Sequence, residues 1–129
     1  MSTSTTAFTE NIQGYDIHTY YDNKNPEQTQ FGKDLHEAVR TEFAELAAKG
    51  DIVLLKWVER AIGPHPITMF TTELHTPEAF ARVVPFYQLH HGELSVLIHP
   101  ISGKGDLLDH TKHALWLGEK QPLLYHLLK

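Results

Sequence analysis

Twice along this chain, a short run of aromatic and β-branched residues gives way to a polar residue, a proline and an amphipathic helix. The first run is YDIHTYY at 15–21, which reads as a strand. Asn25 then caps a helix whose first position is Pro26. Leu35, Val39, Phe43 and Leu46 recur at helical spacing within residues 27–49, and Lys49, Gly50 and Asp51 supply the stop. IVLLKWV at 52–58 is a second strand, ERAIGPHP a proline-broken loop, and ITMFTTEL at 67–74 a third strand. Thr76 and Pro77 begin the second helix, which buries Phe80, Val83, Val84 and Tyr87; Pro85 is expected to kink or shorten it, and Gly92 ends it. A fourth strand covers residues 94–99, followed by a glycine-spaced turn and a short helix around 107–116. The apolar tail PLLYHLL is expected to pack on the body or on a partner subunit. The order β-α-β-β-α-β predicts an α+β, ferredoxin-like fold: an antiparallel sheet with both helices on one face and a short C-terminal helical extension. Residues 1–13, rich in Ser and Thr, read as a flexible tail, and 14–129 as one domain.

Composition narrows the function. A formal net charge of −5 lacks the basic footprint of a nucleic-acid-binding protein. No apolar run approaches the ~20 residues that span a bilayer, and the start MSTSTTAFTEN lacks the regions of a signal peptide, so a cytoplasmic protein is expected. The absence of cysteine excludes disulfides and thiolate metal sites. Any metal must sit among imidazoles, carboxylates and water, which favours iron, manganese, nickel, copper or catalytic zinc. Ten histidines are spread along the 129 residues rather than gathered in a tract.

The fold model says where they fall. A strand order of 4-1-3-2, with the first and third strands taken as parallel, brings the starts of those two strands and the end of the fourth to one corner. His18 lies early in the first strand, His65 just before the third, and His99 ends the fourth. Alternation with Ile17 and Ile98 turns His18 and His99 to the helix-free face, which Asp16 and Tyr20 share. His110 and His113 lie beyond the turn and can return over that face, orienting ligands or acting as acid and base. Asp16 or Asp109 can add a carboxylate; Glu73 is discounted, as lying at the far end of the third strand. His75 reads as a residue of the helix-capping region, His90 and His91 as the exposed helix end, Trp57 and Trp116 as core, and His36 and His126 as without special setting. Aromatic and aliphatic residues on the helix-free face lead to the expectation of a homodimer.

YDIH at 15–18, GPHP at 63–66, TPEAFARVVPFYQLHHGELSVLIHP at 76–100 and DHTKHALWLG at 109–118 resemble the DOPA 4,5-dioxygenase family of fungi and bacteria. The resemblance implies a ferredoxin-like fold and extradiol cleavage of a catechol, such as L-DOPA, with O₂ at non-haem Fe(II); zinc or another divalent metal can occupy such a site. Carried over by motif, it makes His18, His65 and His99 the metal ligands and gives His110 and His113 a substrate-facing or orienting role. His90 and His91 stand where the family often shows Asn or Arg. Two other classes fit the same residues: a dimeric ferredoxin-like binding or regulatory protein, and a three-histidine zinc hydrolase.

Overall fold

The computed structural model describes residues 7–129. Five strands form one antiparallel sheet: β1 (Tyr15–Tyr20), β2 (Ile52–Leu54), β3 (Met69–Leu74), β4 (Val96–Pro100) and β5 (Leu115–Leu117), in the spatial order β2-β3-β1-β4-β5. The helices are α1 (Pro26–Glu42), α2 (Ala44–Ala48), α3 (Pro77–His90) and α4 (Asp106–His110). The α+β, ferredoxin-like order of the first four strands is as expected; a fifth is added at the β4 edge.

Local chemistry explains the helices. The Asn25 side chain accepts from the backbone N–H groups of Glu27 and Gln28, and Pro26 opens α1 with a fixed φ and no N–H to waste. Thr76 accepts from the Ala79 N–H ahead of Pro77 in α3. The single helix expected over 27–49 is two, broken at Phe43 (φ −112°, ψ 28°). Pro85 does not end α3, which continues to His90. It sits on the exposed side, where water can satisfy the carbonyl of Ala81 that loses its N–H partner, while Val83, Val84 and Tyr87 stay buried on the opposite side.

The helices cover one sheet face. Ile17, Phe70, Leu74, Val96 and Ile98 meet Leu35, Val39, Leu46, Val83 and Tyr87 there in the main core. The other face carries a smaller cluster of Tyr20, Met69, Leu97 and Leu123, with Ile67 and Trp116 against it. Loop 63–68 and the C-terminal segment lie together, joined by the Leu124 N–H to Pro64 C=O bond of 2.6 Å. The helix-free face therefore buries Tyr20, Met69, Leu97 and Leu123 within the chain, while Leu124, Tyr125 and Leu127 of the C-terminal segment stay exposed.

Four expectations need correction. β1 and β3 are antiparallel, with Tyr15 opposite Leu74 and Tyr20 opposite Met69. The α1 crossover makes β1 and β2 the parallel pair and places β3 between them, so the start of β3 lies beside the end of β1. Glu73 is consequently opposite Asp16, not remote from it. The segment 107–116 is a five-residue helix and then a strand, in which Leu115–Leu117 pairs with β4. Residues 1–6 of the expected tail lie outside the described residues. Residues 8–13 are tied down: Phe8 packs edge-on to Tyr15, and the Gln13 N–H donates to Ile101 C=O at 2.9 Å. Among the described residues no helix is long and apolar enough to cross a membrane.

Candidate metal centre

β1 presents Asp16, His18 and Tyr20 to the helix-free face, as strand alternation requires. β4 adds His99, whose register partner on β1 is Asp16. Antiparallel pairing puts the start of β3 at the wrong end for His65. The proline-stiffened loop before β3 carries His65 back, so that its ring lies 4.3 Å from that of His18, centroid to centroid. α4 supplies His110, whose ring is 3.9 Å from that of His99. The four imidazoles are only 2–7% exposed.

Two overlapping groups of donor atoms result. His18, His65 and His110 form one, and Asp16, His18 and His99 the other; within each, one ligand atom per residue lies within 4.8 Å of the rest. His18 belongs to both. Neither group includes His113, so the two trailing histidines part company. His113 donates from Nδ1 to Asp109 Oδ1 at 2.9 Å with a third of its side chain exposed. Asp109 also accepts from the Ser102 hydroxyl and N–H at 2.6 and 3.0 Å. Burial works against ionising Asp109, yet these bonds outweigh it and hold its carboxyl below the usual range.

Each ring of the cluster has its Nδ1 engaged by protein. His18 Nδ1 meets Thr71 Oγ1 at 2.9 Å, His65 Nδ1 the Tyr20 hydroxyl at 2.6 Å, His99 Nδ1 the Pro100 carbonyl at 3.0 Å, and His110 Nδ1 the Asp106 carbonyl at 2.8 Å. Nε2 is left as the available nitrogen of all four. This is how metal-binding histidines are ordinarily held, with the second nitrogen fixed by a carbonyl, carboxylate or hydroxyl. The Nε2 atoms of His18 and His99 face each other at 3.0 Å. Two nitrogens bound to one cation at roughly 2.0–2.1 Å stand roughly 3 Å apart, so this pair has the spacing of two ligands of one ion.

Electrostatics favour the neutral rings that a metal requires. His18 is held well below its ordinary 6.5, first by burial and then by His65, His99 and His110. His65 is pushed down to about 4, by burial and then by His110 and His99. Burial also lowers His99 and His110. Asp16 moves the other way, to about 6, through burial and then repulsion from Glu73. Its Oδ2 is 3.8 Å from His99 Nε2, and it lines a cavity of about 240 Å³ with Tyr15, Glu73 and His75. The donor set, three or four neutral imidazoles and a carboxylate, fits a divalent first-row metal.

Sequence reading placed Tyr20 on the correct face but gave it no role, and it missed Thr71. Strand alternation was the available signal for Tyr20. Thr71 was beyond reach, because its partnership with His18 depends on the β1–β3 register.

Known proteins resemble this chain in sequence, and one solved structure resembles it in fold. An uncharacterized 21.2 kDa protein of Botryotinia fuckeliana is 41% identical over 121 residues, which are 89% of this chain and 63% of that protein. A DOPA 4,5-dioxygenase of Amanita muscaria is 30% identical over 122 residues, 92% of this chain and 50% of that protein. The chain thus spans between half and two thirds of the length of these relatives. A crystal structure of a Nostoc punctiforme protein described as a candidate dioxygenase superposes with a TM-score of 0.73 at 30% identity, covering 93% of this chain and 94% of that one. The sequence profile of the Dopa 4,5-dioxygenase family matches residues 15–127, which take in every residue of the histidine cluster, and the chain belongs to that family.

Proposed function

We propose that this protein is a non-haem Fe(II) extradiol dioxygenase that opens the ring of a catechol, L-DOPA or a related dihydroxyphenyl compound, with O₂. The observation that carries the reading is the set of four buried imidazoles, each held at Nδ1 by the protein and each leaving Nε2 available. Dioxygenase family membership supplies the reaction class. Bound Fe(II) supplies the chemistry that brings catechol and O₂ together.

The chain's own residues do the rest. His18 and His99 are paired as ligands at 3.0 Å, and His18 also shares a group of donor atoms with His65 and His110. Asp16 sits beside His99 with a carboxyl that titrates near 6, suited to take a proton at Oδ2 from a phenolic hydroxyl. Asp16 also borders a cavity with Glu73 and His75. His113 acts at a distance, through Asp109, on the turn that carries His110.

The test is anaerobic loading of metal-free protein with Fe(II), then addition of L-DOPA or catechol and air. A yellow ring-fission product formed in proportion to bound iron is expected. Stoichiometric Fe(II) uptake with no product across a panel of catechols would refute ring cleavage and favour another metal-dependent reaction.

A further inference from the structure

The four imidazoles are not equivalent, and the difference lies behind them, at Nδ1. Resting on the reading that a divalent metal occupies this centre, the geometry points to a division of labour. Tyr20 is a positioning residue that holds His65 as its Nε2–H tautomer; His65 is then a hydrogen-bond donor beside the ligand pair His18 and His99, whose Nε2 atoms stand 3.0 Å apart.

A ring nitrogen that carries a proton has no lone pair to give a metal. The tautomer of each ring is fixed by what its other nitrogen meets. Carbonyl oxygens only accept. His99 and His110 therefore carry their protons on Nδ1, toward Pro100 and Asp106, and their Nε2 atoms are bare. His18 meets the Thr71 hydroxyl, which can donate or accept. Thr71 has a second acceptor, Met69 Sδ at 3.3 Å. With the hydroxyl turned to sulfur, Thr71 accepts from His18 Nδ1–H and His18 Nε2 is bare. With the hydroxyl turned to the ring, His18 Nε2 carries the proton and donates across 3.0 Å to His99 Nε2. One rotation of a threonine hydroxyl thus accommodates both the metal-free and the loaded centre.

Tyr20 has no such freedom. Among the described residues the one partner of its hydroxyl is His65 Nδ1, at 2.6 Å, and Tyr20 is 1% exposed. Were the hydroxyl to accept from His65, its own proton would be buried with nothing to receive it, which folded proteins rarely tolerate. Tyr20 therefore donates, His65 Nδ1 accepts, and the His65 proton is on Nε2. That N–H lies in the same buried group as His18 and His110, placed to donate to a reactant oxygen carrying negative charge.

Nitrogen-15 NMR of histidine-labelled protein tests this directly, metal-free and with one equivalent of Zn²⁺. Metal-free protein is expected to show His65 protonated at Nε2. Zn²⁺ should shift Nε2 of His18 and His99 as metal-bound and leave the His65 Nε2–H in place. Tyr20→Phe should release His65 from a single tautomer. Zn²⁺ affinity should stay within about threefold in His65→Gln but fall by more than about tenfold in His99→Gln. A His65 proton on Nδ1 in the metal-free protein overturns the role of Tyr20, and a Zn²⁺-bound His65 Nε2 overturns the ligand assignment. If Zn²⁺ shifts none of the four rings, the metal centre and the ligand assignment fall together, while the metal-free spectrum still decides the tautomer.

Discussion

Acidifying the metal-free protein from pH 7 to 5 should destabilise it, with the histidine cluster as the cause. A group whose pKa is lower in the folded state binds its proton first in the unfolded chain, so stability is lost as pH falls through the unfolded value. For His65 that loss begins near 6.5 and continues to about 4. Each pH step in that interval costs about 1.4 kcal/mol per imidazole kept neutral by the fold, so His65 alone removes about 2 kcal/mol by pH 5. His18, held well below 6.5, adds a second proton of uptake with the same sign. Asp16 opposes them. Its folded pKa is raised to about 6, so the folded chain protonates first and gains about 1 kcal/mol by pH 5. The balance is a net loss, and the His65 part alone, about 2 kcal/mol, is a sizeable share of the 5–15 kcal/mol typical of a small domain. Urea titrations followed by tryptophan fluorescence at pH 7, 6 and 5, in protein stripped with chelator, measure it. His65→Gln should flatten the pH slope by about one proton and Asp16→Asn should steepen it. A stability unchanged between pH 7 and 5, or an unaltered slope in His65→Gln, would refute the reasoning.

His18→Ala and His99→Ala should each abolish stoichiometric Fe(II) binding, measured by metal content after gel filtration; full iron in both variants would sink their assignment as ligands. Adding divalent metal should move the acid-unfolding midpoint to lower pH, because bound metal competes with protons for the rings, and chelator should reverse the shift. Gly14→Ala should destabilise by about 1–3 kcal/mol in urea, since the new methyl would lie 2.8 Å from the Leu74 carbonyl oxygen of the neighbouring strand. Asp109→Ala strips three hydrogen bonds from the turn behind His110. It should lower stability by about 1–3 kcal/mol, read by urea titration.

What the sequence reveals here is what depends on near neighbours along the chain. Alternation at Ile17–His18 and Ile98–His99 assigns the two central histidines to the helix-free face, and the Asn25–Pro26 and Thr76–Pro77 pairs mark the helix starts. The relation between strands is another matter. Taking β1 and β3 as parallel brings His65 to the corner by a route the chain does not follow, and it sends Glu73 away from Asp16, which it faces. His65 arrives because its loop folds back, under restraints that no local pattern records: the Pro64 carbonyl bound by Leu124, and the His65 ring bound by Tyr20. α4 ends at His110, where Thr111 leaves helical geometry (φ −122°, ψ −84°), so His110 and His113 do not continue on one helix as their spacing suggests. The first joins the cluster and the second turns to Asp109.

Chemical identity divides in the same way. Residue types make a metal centre of imidazole and carboxylate legible, because the chain has no cysteine to build any other. The role of each imidazole depends on the atom behind its far nitrogen: a carbonyl for His99 and His110, a threonine with a spare sulfur acceptor for His18, and a buried tyrosine for His65. Tyr20 and Thr71 lie on different strands from the rings of His65 and His18 that they serve, or from the loop that carries one of them. A histidine count can locate this site; only the tertiary pairing separates its ligands from its donor.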